Sequence, residues 1–269
     1  MLKKDKLSIK NFLINQKIII VILVRLNSKR LPQKAKLKID KFSIIEILIK
    51  RLIKSFPKEQ IYLCTSNKEK DEYLKKISKV YKINFHKGSD QNIFDRIKTL
   101  KKKKFFNHFV RITGDNPFTD ISAICTMVKK HIKSKSDYTY TNDLPIGTRP
   151  EIISLKALIT ANRLAVKPKS SEYMTYFFKR DIFKILNVYF KKNFGKQNLL
   201  NISIDTNQQF KRFRKLFKNE KFSISRMRLI KICKNNKKFY EKKILKSIPL
   251  QNEKYDVRFK KKLSQKILI

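Results

Sequence analysis

Four basic side chains follow directly on an apolar run near the start of the chain. The run covers residues 18–24, and the ten residues after it, RLNSKRLPQK, contain Arg25, Lys29, Arg30 and Lys34. Seven consecutive apolar residues rich in β-branched side chains indicate a strand that is buried on both faces. Ligand sites in open α/β sheets lie at the carboxyl ends of such strands. Fixed positive charges beside a turn set by Pro32 therefore predict a binding site for a polyphosphate.

Two aspartates also stand where apolar segments end. Asp115 lies in the turn TGDNP after residues 106–112, and Asp205 follows residues 199–204. Carboxylates are scarce, since the chain has 21 Asp and Glu against 66 Lys and Arg. If these strand ends and the basic loop meet at one edge of a sheet, they predict a site for Mg²⁺ bound to a nucleoside triphosphate, because Mg²⁺ prefers oxygen ligands.

Each aspartate also has a purely structural interpretation. Asp115 could be a turn residue that hydrogen-bonds to its own backbone. Asp205 could cap a helix that begins near Thr206. It is the combination of both aspartates with the basic loop that favours a site.

The elements that must position these residues alternate between strand-like and helix-like patterns. Apolar runs predict strands at 18–24, 61–64, 83–86, 106–112, 138–141, 152–155 and 199–204. Helical spacing predicts helices at 44–53, 68–81, 93–100, 121–132, 156–164, 171–180 and 210–217. The alternation is typical of an α/β protein with a mostly parallel central sheet and helices on both faces.

Length and composition favour one main domain. We expect this domain at residues 18–226, a basic N-terminal extension at 1–17 and a lysine-rich C-terminal tail without a clear period at 227–269. Three widely separated cysteines fit a reducing compartment better than a disulfide framework. We find neither a convincing signal peptide nor an apolar run of about 18 residues, so we expect a cytoplasmic protein with no transmembrane segment.

The net charge of +45 indicates attraction to polyanions but no specific nucleic-acid partner. The basic residues are scattered over the whole chain and are not clustered with aromatic residues. Lysine runs such as 101–104, together with only 4 glycines and no tryptophan, are typical of a proteome with AT-rich codons. The three histidines form no ligand or triad pattern, and we assign them no chemistry.

Seven segments in order resemble the sugar cytidylyltransferases, the family of the acylneuraminate and ketodeoxyoctonate enzymes, and in particular its SpsF-like branch in spore coat polysaccharide biosynthesis. They are VRLNSKRLPQK, CTSNKEKDE, KGSDQNIFDRI, VRITGDNPFTD, PIGTRPEI, SEYMT and ISIDT, and they cover roughly residues 18–217. The first and fourth segments are the specific ones. The resemblance implies a Rossmann-like nucleotide-diphospho-sugar transferase fold and the reaction of CTP with an acidic sugar to give a CMP-sugar and pyrophosphate.

The resemblance also implies roles for individual residues. Arg25 and Lys34 match the triphosphate-binding positions and, with Asp115, the catalytic ones, while Ser28 and Arg30 support them. Asp115 and Asp205 match the Mg²⁺ positions. We expect the pyrimidine near Thr65, Ser66 and Arg96, and the sugar hydroxyls near Glu151 and Glu172. Because relatives are often dimers, a homodimer is expected.

Three positions depart from the pattern of the family. Relatives usually carry glycine where this chain has Asn27 and Gln33, and we expect Asn27 to tolerate a left-handed conformation there. Relatives often have Glu-His where this chain has Glu172 and Tyr173.

Three other functions stay open from the sequence. A glycosyltransferase of the same fold would commonly show a DxD triplet, which this chain lacks. A polyanion-binding protein would use the basic charge. A catalytically inactive relative would keep the fold and lose affinity for metal or nucleotide.

Overall fold

The computed structural model describes residues 3–28, 30–67, 72–165, 174–190, 200–217, 224–235 and 239. Its strands are β1 Ile18–Leu23, β2 Lys38–Ile39, β3 Phe42–Ser43, β4 Ile61–Ser66, β5 Asn84–Gly88, β6 His108–Thr113, β7 Tyr138–Tyr140, β8 Glu151–Ser154 and β9 Ile185–Asn187. Its α-helices are α1 Lys3–Asn15, α2 Ile44–Ile53, α3 Glu72–Tyr81, α4 Ile93–Lys101, α5 Ile121–Ser134, α6 Leu155–Leu164, α7 Asn207–Phe217 and α8 Arg226–Lys234. Short 3-10 helices cover Lys34–Lys36 and Lys58–Gln60.

Seven strands form one sheet in the order β5-β4-β1-β6-β8-β7-β9. Strands β5, β4, β1 and β6 pair in parallel, and β8 runs antiparallel to both of its neighbours, β6 and β7. Strand β9 pairs in parallel with β7, so β8 alone among these seven strands is reversed. The predicted mostly parallel sheet is confirmed.

Both faces of the sheet are covered, as the apolar run at 18–24 predicts. All six residues of β1 are buried. Ile18, Ile20 and Ile22 pack in one apolar cluster with residues of α2 and α5. Ile19 and Val21 point the other way and pack in a second cluster with residues of α4 and α6. The alternation places β1 at the centre of the molecule, with its carboxyl end open towards the basic loop.

Two predicted elements differ from the structure. Of the strand expected at 199–204, residue 199 lies outside the described part of the chain, and residues 200–204 are not a strand of the seven-stranded sheet but include a parallel bridge between Asn201 and Ile146. Of the helix expected at 171–180, residues 171–173 lie outside the described part of the chain, and residues 174–177 form a 3-10 turn. Strand β9 was not predicted, because its three half-buried residues carry no apolar alternation.

Both flanks of the expected main domain contribute to its core. In α1, Ile9 and Leu13 are buried in the same cluster as Ile18. In α8, Leu229, Ile230 and Cys233 are buried. A tail without a period from residue 227 is therefore the wrong interpretation for 227–234, where basic residues on the exposed face hide the helical spacing of the apolar ones. The described helices do not include one that is long and apolar enough to cross a bilayer.

Two histidines, the buried His131 of α5 and the partly buried His108 of β6, lie next to each other. His108 Nδ1 lies 3.0 Å from His131 Nε2, and His131 Nδ1 lies 2.8 Å from Thr139 Oγ1. Burial, and then the neighbouring His108, lower the pKa of His131 from 6.5 to about 3. The pair is therefore neutral at neutral pH and belongs to the core.

Replacing Leu229 with alanine tests whether α8 is part of the folded core. Leu229 is 4% exposed, so we expect Leu229→Ala to lower the free energy of unfolding by about 2–5 kcal/mol, measured by urea denaturation. Met227 on the same helix is 65% exposed, and Met227→Ala should change it by less than about 0.5 kcal/mol. Equal effects of the two substitutions would show that α8 does not pack as described.

The buried His131 predicts a stability that falls in acid. Because the unfolded chain protonates His131 near 6.5 and the folded chain only near 3, its contribution is complete above about pH 6.5 and is lost as the pH falls towards 3. The slope approaches ~1.4 kcal/mol per pH unit. Urea denaturation at about pH 7 and about pH 5 should show a smaller loss for His131→Gln than for the unmodified chain. An unchanged loss would contradict the assignment.

Candidate active site

A third apolar cluster brings three distant segments of the chain to one place. It contains Leu31 of the basic loop, Phe118 of the turn after β6, and Ile202 and Ile204 of the segment that ends at Asp205. All four side chains are at most 8% exposed. Because these apolar side chains pack together, the polar residues beside them must lie at the same edge of the sheet.

The two aspartates share one lysine. Lys34 Nζ donates a hydrogen bond to Asp115 Oδ2 and another, of 3.0 Å, to Asp205 Oδ1. Arg30 NH2 also lies 3.0 Å from Asp205 Oδ1. The structure thus brings together four of the predicted site residues, two acidic and two basic.

The ammonium group of Lys34 is held in a partly buried position. Its side chain is 14% exposed. Burial by itself would lower the pKa of Lys34, but the charges and hydrogen bonds of Asp115 and Asp205 outweigh it and raise that pKa. Lys34 therefore carries its positive charge at neutral pH.

The structural interpretation of Asp205 as a helix cap is wrong. The hydroxyl of Thr206 accepts a hydrogen bond of 3.2 Å from Gln209 N at the start of α7. Gln209 Oε1 in turn accepts bonds of 2.8 and 3.0 Å from the backbone N–H groups of Asp205 and Thr206. This reciprocal capping leaves the carboxylate of Asp205 for Lys34 and Arg30.

The turn that carries Asp115 is closed by other residues too. Asn116 N donates a hydrogen bond of 3.1 Å to Thr113 O, and Asn116 Nδ2 donates one of 2.6 Å to Thr113 Oγ1. Gly114 permits the close approach of this turn to the end of β1, since a Cβ atom there would lie 2.6 Å from Val24 Cβ. The contact fixes Asp115 beside the start of the basic loop.

In the basic loop, the residue in a left-handed conformation is Gln33 and not Asn27. Gln33 has φ 53° and precedes the 3-10 helix that begins at Lys34, whereas Asn27 does not have a positive φ. A left-handed backbone costs a residue with a Cβ atom about 1–2 kcal/mol, which explains why a glycine suits this position. The loop is closed by hydrogen bonds of 3.0 Å from the N–H groups of Ser28 and Gln33 to Leu26 O.

A cleft of about 1050 Å³ opens between the basic loop, the turn at Asp115 and the loop before α4. This volume is sufficient for a nucleotide. The predicted site residues that line it are Arg25, Ser28, Arg30, Lys34, Arg96 and Asp115. Asp205 reaches the cleft through its contacts with Lys34 and Arg30 rather than as part of the lining.

Two further predicted residues that the structure describes, Thr65 and Ser66, do not reach this cleft. Thr65 and Ser66 are 0% and 2% exposed at the end of β4 and do not line it. They are too deeply buried to contact a base directly. Glu172 lies outside the described part of the chain.

Arg96 lines the cleft, and its guanidinium group donates hydrogen bonds to the backbone of the loop before α4. Its Nε and NH2 donate bonds of 2.9 and 2.7 Å to Ser89 O, and NH2 also reaches Asp90 O at 3.3 Å. Gly88 makes room for this packing, since a Cβ atom there would lie 2.8 Å from Arg96 Cγ. Arg96 therefore shapes the loop that faces the basic residues.

Sequence analysis missed Arg111, which also lines the cleft. Arg111 on β6 stands opposite Glu151 on β8, and the two side chains form an ion pair. Tyr138 Oη donates a hydrogen bond of 2.7 Å to the other oxygen of Glu151. Glu151 thus lies beneath the cleft and does not line it. An arginine inside an apolar strand, just before Gly114 and Asp115, was the signal for a site role.

The two aspartates fit a divalent metal ion as part of its ligand set. Their side chains are 22% and 24% exposed and converge on one point, the ammonium group of Lys34. The described residues contain no group of three His, Cys, Asp or Glu that could hold a metal ion. Two carboxylates completed by phosphate oxygens and water are the set that Mg²⁺ uses in nucleotide sites.

The sequence of this chain is similar to those of known proteins. The family model described as cytidylyltransferase matches residues 19–248. An uncharacterized protein of Methanocaldococcus jannaschii is 32% identical over 205 residues, which are 76% of this chain and 84% of that protein. The spore coat polysaccharide biosynthesis protein SpsF of Bacillus subtilis is 25% identical over 228 residues, 81% of this chain and 95% of that protein.

The fold has a similar solved structure. A cytidylyltransferase from Leptospira borgpetersenii superposes with a TM-score of 0.76 at 21% identity, covering 86% of this chain and 99% of that one. With the family model matching most of the chain, the resemblance predicted from the seven segments is confirmed. This chain belongs to the cytidylyltransferase family and is an enzyme of that class.

Proposed function

We propose that the enzyme transfers CMP from CTP to an acidic sugar of the nonulosonic or ulosonic type and releases pyrophosphate. The observation that carries the proposal is the contact of Lys34 with both Asp115 and Asp205 at a cleft that Arg25 and Arg30 also line. This arrangement combines cations for a triphosphate with carboxylates for a metal ion.

Arg25, Arg30 and Lys34 bind the triphosphate in this proposal. Arg25 lies two residues after the end of β1, and the other two lie on the loop that β1 leads into. Guanidinium groups bind phosphate oxygens with paired hydrogen bonds, and the ammonium group adds a compact charge. Ser28, whose Oγ accepts a bond of 3.4 Å from Leu31 N, supports the loop beneath them.

Asp115 and Asp205 hold Mg²⁺ in this proposal. When bound, the ion neutralises charge on the phosphate oxygens and orients them for displacement. The two carboxylates that contact the Lys34 ammonium group come from different segments, one on the turn after β6 and one before α7. Their role is to fix the position of the metal with respect to the basic loop.

The reaction is a displacement at the α-phosphorus of CTP. The oxygen of the sugar's anomeric hydroxyl forms a bond to this phosphorus and its proton is released to water, while the bond to the bridging oxygen breaks and pyrophosphate leaves with the electron pair. Such transfers depend on alignment and charge neutralisation more than on covalent participation of the protein. Lys34 and Arg25 supply positive charge where the leaving pyrophosphate gains negative charge.

An acidic sugar for surface polysaccharide biosynthesis is the proposed acceptor. The family resemblance supports an acidic sugar, and the relative named for spore coat polysaccharide biosynthesis supports this use. Glu151 and Glu172 stay predicted contacts for sugar hydroxyls. In the structure, both oxygens of Glu151 are bonded, one to Arg111 and one to Tyr138.

We also propose that the enzyme works in the cytoplasm. Cys64, Cys125 and Cys233 are free thiols, which supports the reducing cytoplasm as its compartment. A homodimer remains an expectation.

The proposal predicts that Asp115→Asn and Asp205→Asn each abolish pyrophosphate release. Loss of a metal carboxylate should reduce the rate by about 10²-fold or more, because the charge of the phosphates is no longer compensated. Release is measured from CTP with sialic, legionaminic, pseudaminic and ketodeoxyoctonic acids as separate acceptors. Asp40→Asn, at an exposed turn residue with φ 56°, is the matched control and should leave the rate unchanged.

Two results would contradict this proposal in different ways. If both aspartate variants release pyrophosphate as fast as the unmodified enzyme, the metal assignment is wrong. If the unmodified enzyme releases none with any of these acids, either the acceptor class is wrong or the protein is an inactive relative.

A further inference from the structure

In the structure, two basic side chains contact the two carboxylates that are predicted to bind the metal ion. Lys34 Nζ contacts Asp115 and lies 3.0 Å from Asp205, and Arg30 NH2 lies 3.0 Å from the same oxygen of Asp205. Two acidic groups are thus balanced by two basic ones. A divalent cation entering between the carboxylates would meet an ammonium group in its place and would be repelled by it.

The carboxylates alone also form an incomplete ligand set. Mg²⁺ requires near-octahedral coordination by six oxygens, and the described residues place two carboxylates here and no third acidic side chain in a metal-binding group. The remaining positions must be filled by water or by the oxygens of a phosphate chain. A triphosphate would therefore supply metal ligands and would also supply anionic partners for Lys34 and Arg30.

The two basic side chains are able to change partners. Lys34 has its backbone fixed at the start of the 3-10 helix, where Leu37 N donates 3.1 Å to Lys34 O, but its ammonium group sits on a flexible four-carbon stem. Arg30 has a side chain that is 68% exposed, so its guanidinium can move without loss of packing. Both residues line the cleft in which the triphosphate is proposed to bind.

We propose that Lys34, assisted by Arg30, occupies the metal position in the nucleotide-free enzyme and leaves it when a metal-bound triphosphate arrives. The inference rests on the proposed function, since it names how the same site is regulated. The consequence is that the binding of metal and the binding of nucleotide are coupled. The nucleotide-free enzyme binds a divalent metal weakly, and each of the two ligands strengthens the binding of the other. Because coupling is reciprocal, metal must raise the affinity for CTP by the same factor.

Titration of the nucleotide-free enzyme with Mn²⁺, followed by the electron paramagnetic resonance signal of free Mn²⁺, tests this inference. Lys34→Met should bind Mn²⁺ more tightly than the unmodified enzyme, by roughly 5- to 150-fold, the range typical of coupling between two sites. Arg30→Met should show a smaller gain in Mn²⁺ affinity. Because the side chain of Arg30 is exposed, this substitution should leave the fold intact. Lys36→Met is the control, because Lys36 Nζ lies over the ring of Tyr73, at 5.1 Å, and should change nothing.

The outcome is separable from the fate of the proposed function. If neither Lys34→Met nor Arg30→Met binds Mn²⁺ more tightly than the unmodified enzyme, the inference is overturned, even when the unmodified enzyme binds CTP in the presence of Mg²⁺. If the unmodified enzyme fails to bind CTP under any condition, the proposed function fails, and a gain of Mn²⁺ affinity in Lys34→Met still supports the occupation of the metal position by Lys34.

Discussion

The ammonium group of Lys34 between Asp115 and Asp205 is the interaction on which the site depends. It joins three segments that are far apart in the sequence: the loop after β1, the turn after β6 and the segment before α7. These ion pairs alone would not hold the three segments together, because partly exposed ion pairs contribute little to stability. The apolar cluster beneath, with Leu31, Phe118 and Ile204, fixes the backbone, and the charges then take the positions that this packing allows.

The parallel arrangement of β1 and β6 explains why the charged residues of the candidate site lie at one edge of the sheet. The two strands pair in register from Ile18 and His108 to Leu23 and Thr113, so their following loops leave the sheet side by side. Gly114 allows the two loops to touch at Val24. Strand β8 is reversed, which puts Glu151 at its start opposite Arg111 near the end of β6 and places a partly buried ion pair beneath the cleft.

Strong local patterns made much of the fold predictable, together with several residues that the structure places at the cleft. The run at 18–24 and the turn TGDNP identified β1, β6 and Asp115 because both signals lie within a few adjacent residues. The burial of individual side chains was harder to predict. Thr65 and Ser66 are short polar residues at a strand end, yet both are buried. The left-handed Gln33 and the core role of α8 escaped prediction because backbone angle and tertiary packing override residue type there.

Binding of CTP, UTP, ATP and GTP, measured at equilibrium with and without Mg²⁺, tests the central claim most directly. The salt concentration must be high enough to screen non-specific attraction to a chain of net charge +45. The account predicts selective binding of CTP that depends on Mg²⁺ and is lost in Asp115→Asn. Weak binding of all four nucleotides alike, with no effect of Mg²⁺, would contradict it and would identify the basic loop as a general polyanion site.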